Sequence, residues 1–180
     1  MTMLDRFTPD ARRTIVRAGA LAAEAGRGTL SDAFLLLALA ERRPVGAAPA
    51  DIAAAVGAAP GRDRELLAAL GIDLDEVRRR VRRSTALDAG DPALWTLRRA
   101  PLRPLRVVLS GPGTAVVLDE GGRKAVEVAL WAARRARRAR AGVDDLLWGL
   151  LADGAGEAVR VLRRLDADLR ALWAGLGPAA

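Results

Sequence analysis

Apolar positions recur at helical spacing through most of this chain, and they do so twice. Residues 32–41 (Asp-Ala-Phe-Leu-Leu-Leu-Ala-Leu-Ala-Glu) open on a carboxylate, run through apolar residues and close on an acid. Residues 144–153 (Asp-Asp-Leu-Leu-Trp-Gly-Leu-Leu-Ala-Asp) repeat that plan 112 positions later. Upstream, residues 7–18 align with residues 118–129 at a spacing of 111, and Ile15/Val126, Ala18/Ala129, Ala22/Ala133 and Ala25/Ala136 keep one apolar face. A one-residue deletion in the 26–30 loop absorbs the difference. Downstream, residues 70–74 match residues 165–169 at a spacing of 95, so the first copy carries 17 extra residues between Glu41 and Leu66. Self-similarity of this kind marks a duplicated supersecondary unit.

The punctuation between apolar runs sets the predicted elements. Thr8 is a good N-cap, followed by Pro9 and Asp10, for a helix that reaches about Ala25 and stops at Gly26 and Gly28. Ser31 or Asp32 caps a second helix whose Leu35, Leu36 and Leu39 face the core. Residues 42–62 read as an insertion marked by Pro44, Pro49 and Pro60, with a short helix over 51–56. Residues 65–70 are helical, and Asp73-Leu74-Asp75-Glu76 is a capping box for a helix to about Arg83. Residues 84–117 form a linker with Trp95 as its anchor. In it, 106–109 and 114–117 flank Ser110-Gly111-Pro112-Gly113, which predicts a hairpin with a four-residue loop.

The second copy repeats the plan. Asp119 caps a helix over 122–140, Val143 or Asp144 opens one through Leu151, residues 157–165 make the next, and Asp168 caps the last. In this register Asp32 matches Asp144, Leu35 matches Leu147, and Leu36 matches Trp148. Trp131, Trp148 and Trp173 are read as core or intersubunit fillers. The predicted fold is all-α in one domain over 1–180, with repeat one at 5–83, the hairpin-bearing linker at 84–117 and repeat two at 118–174.

Composition agrees with this. The 180 residues are 51% hydrophobic and 3% aromatic, and Ala, Leu and Arg are strong helix formers. No apolar run reaches membrane-spanning length and the N-terminus lacks a secretory apolar segment, so cytoplasm is the expected compartment and no membrane partner is expected. The net charge of +7 mixes 29 basic with 22 acidic residues. The densest run, residues 134–140, lies on a helix whose apolar face is already assigned. It reads as a solvated face with cations near the negative end of the helix dipole. With no aromatic among its arginines, nucleic acid is not the expected partner.

Several chemistries are absent from the composition. There is no His and no Cys, which removes imidazole bases, thiol nucleophiles and the usual zinc ligands. Ser occurs only at positions 31, 84 and 110, none in a nucleophile-elbow context, and no phosphate-binding loop with its lysine is present. No catalytic residue, metal or cofactor is assigned, and the protein is read as a non-enzyme.

The duplicated pattern resembles the N-terminal repeat domain of Clp/Hsp100 unfoldases, the ClpC type above all. The residues that carry the resemblance are Arg6-Phe7-Thr8 with Ala11-Arg12-Arg13, the Ser31-Asp32 helix start, and Leu70-Gly71-Ile72-Asp73-Leu74. In the second copy they are residues 142–151, 154–162 and 165–169. The resemblance implies an eight-helix, pseudo-twofold domain that receives substrates or adaptors. Without an ATPase module, it implies a stand-alone Clp N-domain protein of actinobacterial type, acting as adaptor, decoy or sequestering partner of Clp components or their clients. It also implies phosphoarginine binding, one site per repeat: Arg6 and Thr8 for phosphate and Asp32 for guanidinium in repeat one, Asp119 and Asp144 in repeat two. Repeat two departs from the pattern through its acidic cap and through Val117 and Val143. Leu4 and Leu118 stand where the family's cyclic-peptide site has aromatics.

A reading of another class stays open. Residues 51–62 resemble the first helix and turn of a helix-turn-helix, which would make the region near 51–67 part of a DNA-binding regulator. Purified protein is expected to show no ATPase or peptidase turnover above buffer. Turnover abolished by one substitution, for example Asp144→Asn, would overturn the non-catalytic reading.

Overall fold

The computed structural model describes residues 2–57, 90–100 and 106–176. Among these residues the elements run α1 (Pro9–Glu24), β1 (Thr29–Leu30), α2 (Asp32–Ala40), α3 (Pro49–Ala55), β2 (Thr96–Ala100), β3 (Arg106–Gly111) and β4 (Thr114–Leu118). There follow α4 (Glu120–Arg135), α5 (Val143–Ala152), α6 (Glu157–Arg164) and α7 (Leu169–Gly175), with 3₁₀ turns at Met3–Arg6 and Pro92–Leu94. The helices predicted over 65–70 and 73–83, and residues 58–67 of the helix-turn-helix reading, lie outside the described residues.

The core is built around α2. Every residue from Asp32 to Leu39 is buried, and α2 packs against α1, α3, α4, α5 and α6. A helix apolar on all sides is stable only when its neighbours surround it. α1 and α2 run antiparallel, with the Arg17 side chain donating to Glu41 at 2.8 and 2.9 Å. α4 and α5 repeat that pairing in the second half, and Trp148 meets Trp173 edge-to-face at 4.7 Å.

The fold is not all-α. The predicted hairpin forms, but β3 and β4 belong to a four-stranded sheet of order β1-β4-β3-β2. The hairpin turn is also tighter than the four-residue loop: Gly111 pairs with Thr114, leaving Pro112 and Gly113 as the two turn residues. Gly113 has φ +69°, the conformation that the second position of a type II turn needs. β2 pairs antiparallel with β3. It escapes a sequence reading because Leu97 is its one buried side chain while Arg98 and Arg99 are exposed. β1 escapes because it is two residues long. Trp95 is buried at the end of the sheet and fills the space above Gly19 and Gly111, where neither has room for a Cβ beside its ring and Leu109.

The repeat spacing is 111 through the first two helices of each half. α1 and α4 are both 16 residues long, capped by Thr8 and Asp119, and they end at Ala25 and Ala136. After both, the chain turns through a left-handed residue, Gly26 (φ 69°) and Arg137 (φ 54°), with the same return bonds, Arg27 N–H to Ala22 O and Arg138 N–H to Ala133 O, each 2.8 Å. The second helices have N-caps Ser31 and Gly142. No residue is deleted in the 26–30 loop. Asp32 therefore corresponds to Val143, Leu35 to Leu146, Leu36 to Leu147, and Leu37 to Trp148. The predicted 112 register matched the wrong aspartate, because residues 144–153 carry two at their start.

The two halves are joined by a reciprocal exchange of backbone. Leu30 pairs in parallel with Leu118, and the equivalents of those two residues, Ala141 and Phe7, pair in parallel as well. The Asp119 N–H donates to Leu30 O at 3.1 Å, and the Thr8 N–H donates to Ala141 O at 2.8 Å. Each repeat's first helix thus starts against the other repeat's second helix.

α5 approaches α4 so closely that a methyl group on Gly149 would overlap the Ala125 carbonyl oxygen. Its counterpart in repeat one is Ala38, fully buried. Gly149→Ala is expected to destabilise by about 1–3 kcal/mol, because a backbone carbonyl cannot yield as a side chain does. Urea unfolding checks this, and an unchanged midpoint would contradict the close crossing.

Candidate functional site

The reciprocal bridges create two junctions where helix N-termini meet. At the first, Thr8 caps α1 by accepting from the Ala11 N–H at 3.4 Å. Phe7 holds that end beside Ala141, just before α5. Arg6 is exposed, and its carbonyl accepts from the Ala141 N–H at 2.8 Å. The antiparallel α2 delivers Arg42 and Arg43 to the same place: Arg42 Nη1 lies 3.8 Å from Asp10, and Arg43 pairs with Asp144. Between them is a cleft of about 480 Å³ lined by Asp10, Arg42, Arg43, Pro44, Val143 and Asp144. A hydrogen bond from Arg13 holds the Asp10 carboxyl below its ordinary value, and Arg42 adds to this.

At the second junction Asp119 caps α4, accepting from the Gly122 N–H at 2.7 Å. Asp32, 4% exposed, is committed to structure there. Its carboxylate accepts from the Ala158 N–H at 3.1 Å and so caps α6, whose own N-cap, Gly156, has no side chain to offer. A Cβ on Gly156 would lie 2.6 Å from Asp32 Oδ2, and one on Gly121 would lie 3.1 Å from Oδ1. Both glycines therefore leave the room that the carboxylate fills. A smaller pocket, about 160 Å³, opens beside it between Arg27, Ser31, Phe34, Asp119 and Glu157. Burial pushes the Asp32 carboxyl up, the Ala158 N–H pulls it partly back, and the negative Asp119 and Glu157 push it further up. Burial raises Asp119 too, against its bond from Gly122 and with Glu157 adding to the rise.

The candidate residues are therefore grouped differently from the sequence reading. Arg6 and Thr8 share the first junction with Asp144, not with Asp32. Asp119 shares the second with Asp32, not with Asp144. The physical reason is the helix hairpin. α2 rises about 1.5 Å per residue away from its Arg42 end, so Asp32 sits beside the far end of α1 from Thr8. Arg42 and Arg43 were not singled out, since they follow α2 directly and read as the start of the insertion. Asp145 is a structural acid at its helix N-terminus: it is 3% exposed, accepts from both Arg138 amino groups at 2.6 and 2.8 Å, and accepts from the Gly142 N–H at 2.7 Å. Among the described residues no group of three or more acidic side chains is placed to hold a metal ion.

No family model and no curated protein matches the sequence. Solved structures do match the fold. One is the N-terminal domain of the caseinolytic-protease-associated chaperone ClpD from Arabidopsis thaliana, with TM-score 0.52, 21% identity, and coverage of 96% of this chain and 95% of that one. Another comes from a study of a malarial protein secretion system, with TM-score 0.52, 14% identity, and coverage of 95% and 92%. The chain has the Clp N-terminal-domain fold. In this Clp-type fold the two junctions are equivalent positions of the two repeats, with unlike chemistry: Arg42 and Arg43 beside the exposed Asp10 and Asp144 at the first, the buried Asp32 beside Asp119 and Glu157 at the second. Among the described residues no helix is long and apolar enough to cross a membrane.

The raised carboxyls of the second junction fix a sign for pH dependence. A carboxyl whose folded pKa exceeds its unfolded value costs stability when ionised. That cost is fully present above the folded pKa and is relieved as pH falls through it. Asp32→Asn removes the charge and retains an oxygen to cap Ala158, so its stability relative to the parent is expected to be higher at pH 7 than at pH 4. An equal difference at both pH values would contradict this. Asp32→Ala loses the cap and is expected to cost about 1 kcal/mol relative to Asp32→Asn.

Proposed function

We propose that the protein is a non-catalytic binding module of Clp-type proteolysis, an adaptor, decoy or sequestering protein that engages Clp components or their clients. The α1/α5 cleft is its ligand site, and the observation that carries this reading is the meeting there of two helix N-termini with Arg42 and Arg43. Helix N-termini present unsatisfied N–H groups and positive dipole ends, and two guanidinium groups add charge-assisted donors, a combination suited to phosphate. Asp10 and Asp144, each facing an arginine in the cleft, offer carboxylates to a ligand that also carries a guanidinium. Phosphoarginine has both groups. The second junction, walled by Asp32, Asp119 and Glu157, repels a phosphate, so the site is single.

The second helix of the DNA-regulator alternative, the one that would enter a groove, falls outside the described residues; its first helix, α3, buries Ile52 completely and packs against α2 and α6.

Calorimetry with phosphoarginine is expected to give one site per chain, lost in R42E/R43E and kept in Asp32→Asn. Since a charge-assisted hydrogen bond contributes about 1.5–3 kcal/mol, loss of both arginines should remove measurable binding. Two equal sites, or binding indifferent to Arg42 and Arg43, would reject the cleft. Co-purification of a Clp unfoldase or protease from the native host tests the adaptor role separately.

A further inference from the structure

Trp131 is the one large apolar side chain exposed among the described residues, at 51%. The Arg135 guanidinium lies over its ring at 5.5 Å. Trp131, Arg134 and Arg135 are spaced to share one face of α4. Arg137 and Arg140 continue the cationic surface into the loop that follows. The guanidinium groups of Arg134, Arg135, Arg137 and Arg140 make no hydrogen bond or ion pair with any described residue. In the same run, Arg138 is the arginine tied to a carboxylate, that of Asp145.

The duplication supplies an internal control. At the 111 spacing, the repeat-one counterparts of Trp131, Arg134, Arg135, Arg137 and Arg140 are Ala20, Ala23, Glu24, Gly26 and Thr29. The same helix and the same terminating turn thus form without an aromatic or a cluster of arginines. Arg137 even occupies the left-handed position (φ 54°) that Gly26 fills in repeat one, where a side chain costs about 1 kcal/mol. Attraction to the helix dipole accounts for a cation or two in the last turn. It does not account for an exposed tryptophan or for an arginine at a strained position.

We propose that this face of α4, with the loop after it, is a docking surface for an acidic segment of a partner protein. Charge complementarity selects the partner. Unpaired guanidinium groups on a surface favour carboxylates, which they hold in two-pronged hydrogen bonds, and Trp and Arg are among the residue types enriched at the hot spots of protein interfaces. A single aromatic on a convex helix does not form the track of stacking rings in a groove that single-stranded nucleic acid uses. None of Trp131, Arg134, Arg135, Arg137 and Arg140 lines the α1/α5 cleft.

Fluorescence anisotropy with a fluorescein-labelled Glu-Asp-Leu repeat peptide, at physiological salt, tests this. Binding is expected, with at least about tenfold loss in Trp131→Ala and in R134E/R135E, a size usual for hot-spot removal. R98E/R106E makes the same charge change on exposed positions of β2 and β3, and R42E/R43E changes the cleft; both are expected to retain binding. The Gln-Asn-Leu counterpart is expected not to bind. Circular dichroism shows that each variant is folded. Absence of peptide binding, equal loss in R98E/R106E, indifference to Trp131→Ala, or oligothymidylate binding as tightly as the peptide would each overturn the proposal.

Discussion

The two backbone exchanges between the repeats, Leu30 with Leu118 and Phe7 with Ala141, are the constraint on which the other arrangements rest. Each ties the residue two before one repeat's first helix to the residue two before the other repeat's second. Neither repeat completes its own helix entrance. The exchange fixes the relative placement of four helix N-termini and closes the core over α2. It also supplies hydrogen bonds to strand ends that would otherwise be buried unpaired, a loss of about 1–3 kcal/mol for each orphaned group.

From that constraint two equivalent junctions follow, and the sequence makes them unlike. At the first, the end of α2 brings Arg42 and Arg43, and the cleft stays open. At the second, Asp32 turns inward to cap α6 across the repeat boundary, and burial, with Asp119 and Glu157 adding to it, makes its ionisation costly. One repeat thus leaves charge at the surface where the other uses it as an internal cap. The same asymmetry runs through the first helices: α1 ends in Ala, Glu and Gly, whereas α4 ends in Trp and Arg on an otherwise identical scaffold.

Much of the secondary structure was legible in local chemistry. Thr8, Asp119 and Asp168 cap the helices they were expected to cap, because an N-cap bond spans two or three residues and needs no distant partner. The β3–β4 hairpin was legible for the same reason, through its alternation and its Pro-Gly turn. The strands β1 and β2 were not, because two residues, or one buried leucine between arginines, carry no periodic signal. Helix α4 was predicted too long, since arginines continue a helical pattern and nothing local announces a left-handed residue at Arg137.

By itself, the sequence carried a duplicated helical pattern that resembles the Clp N-domain, its helix caps, and the absence of thiol and imidazole side chains. Only the tertiary structure decided which residues meet. Apolar periodicity is degenerate to a shift of one when two aspartates stand side by side, so the 111 register emerged from caps and turns in three dimensions. The helix hairpin then moved Asp32 to the far end of α1 from Thr8 and put Arg42, Arg43 and Asp144 beside it. Contacts across 101 residues, as between Arg43 and Asp144, or 126, as between Asp32 and Ala158, leave no trace in local pattern. They are set by how two amphipathic units bury one shared helix.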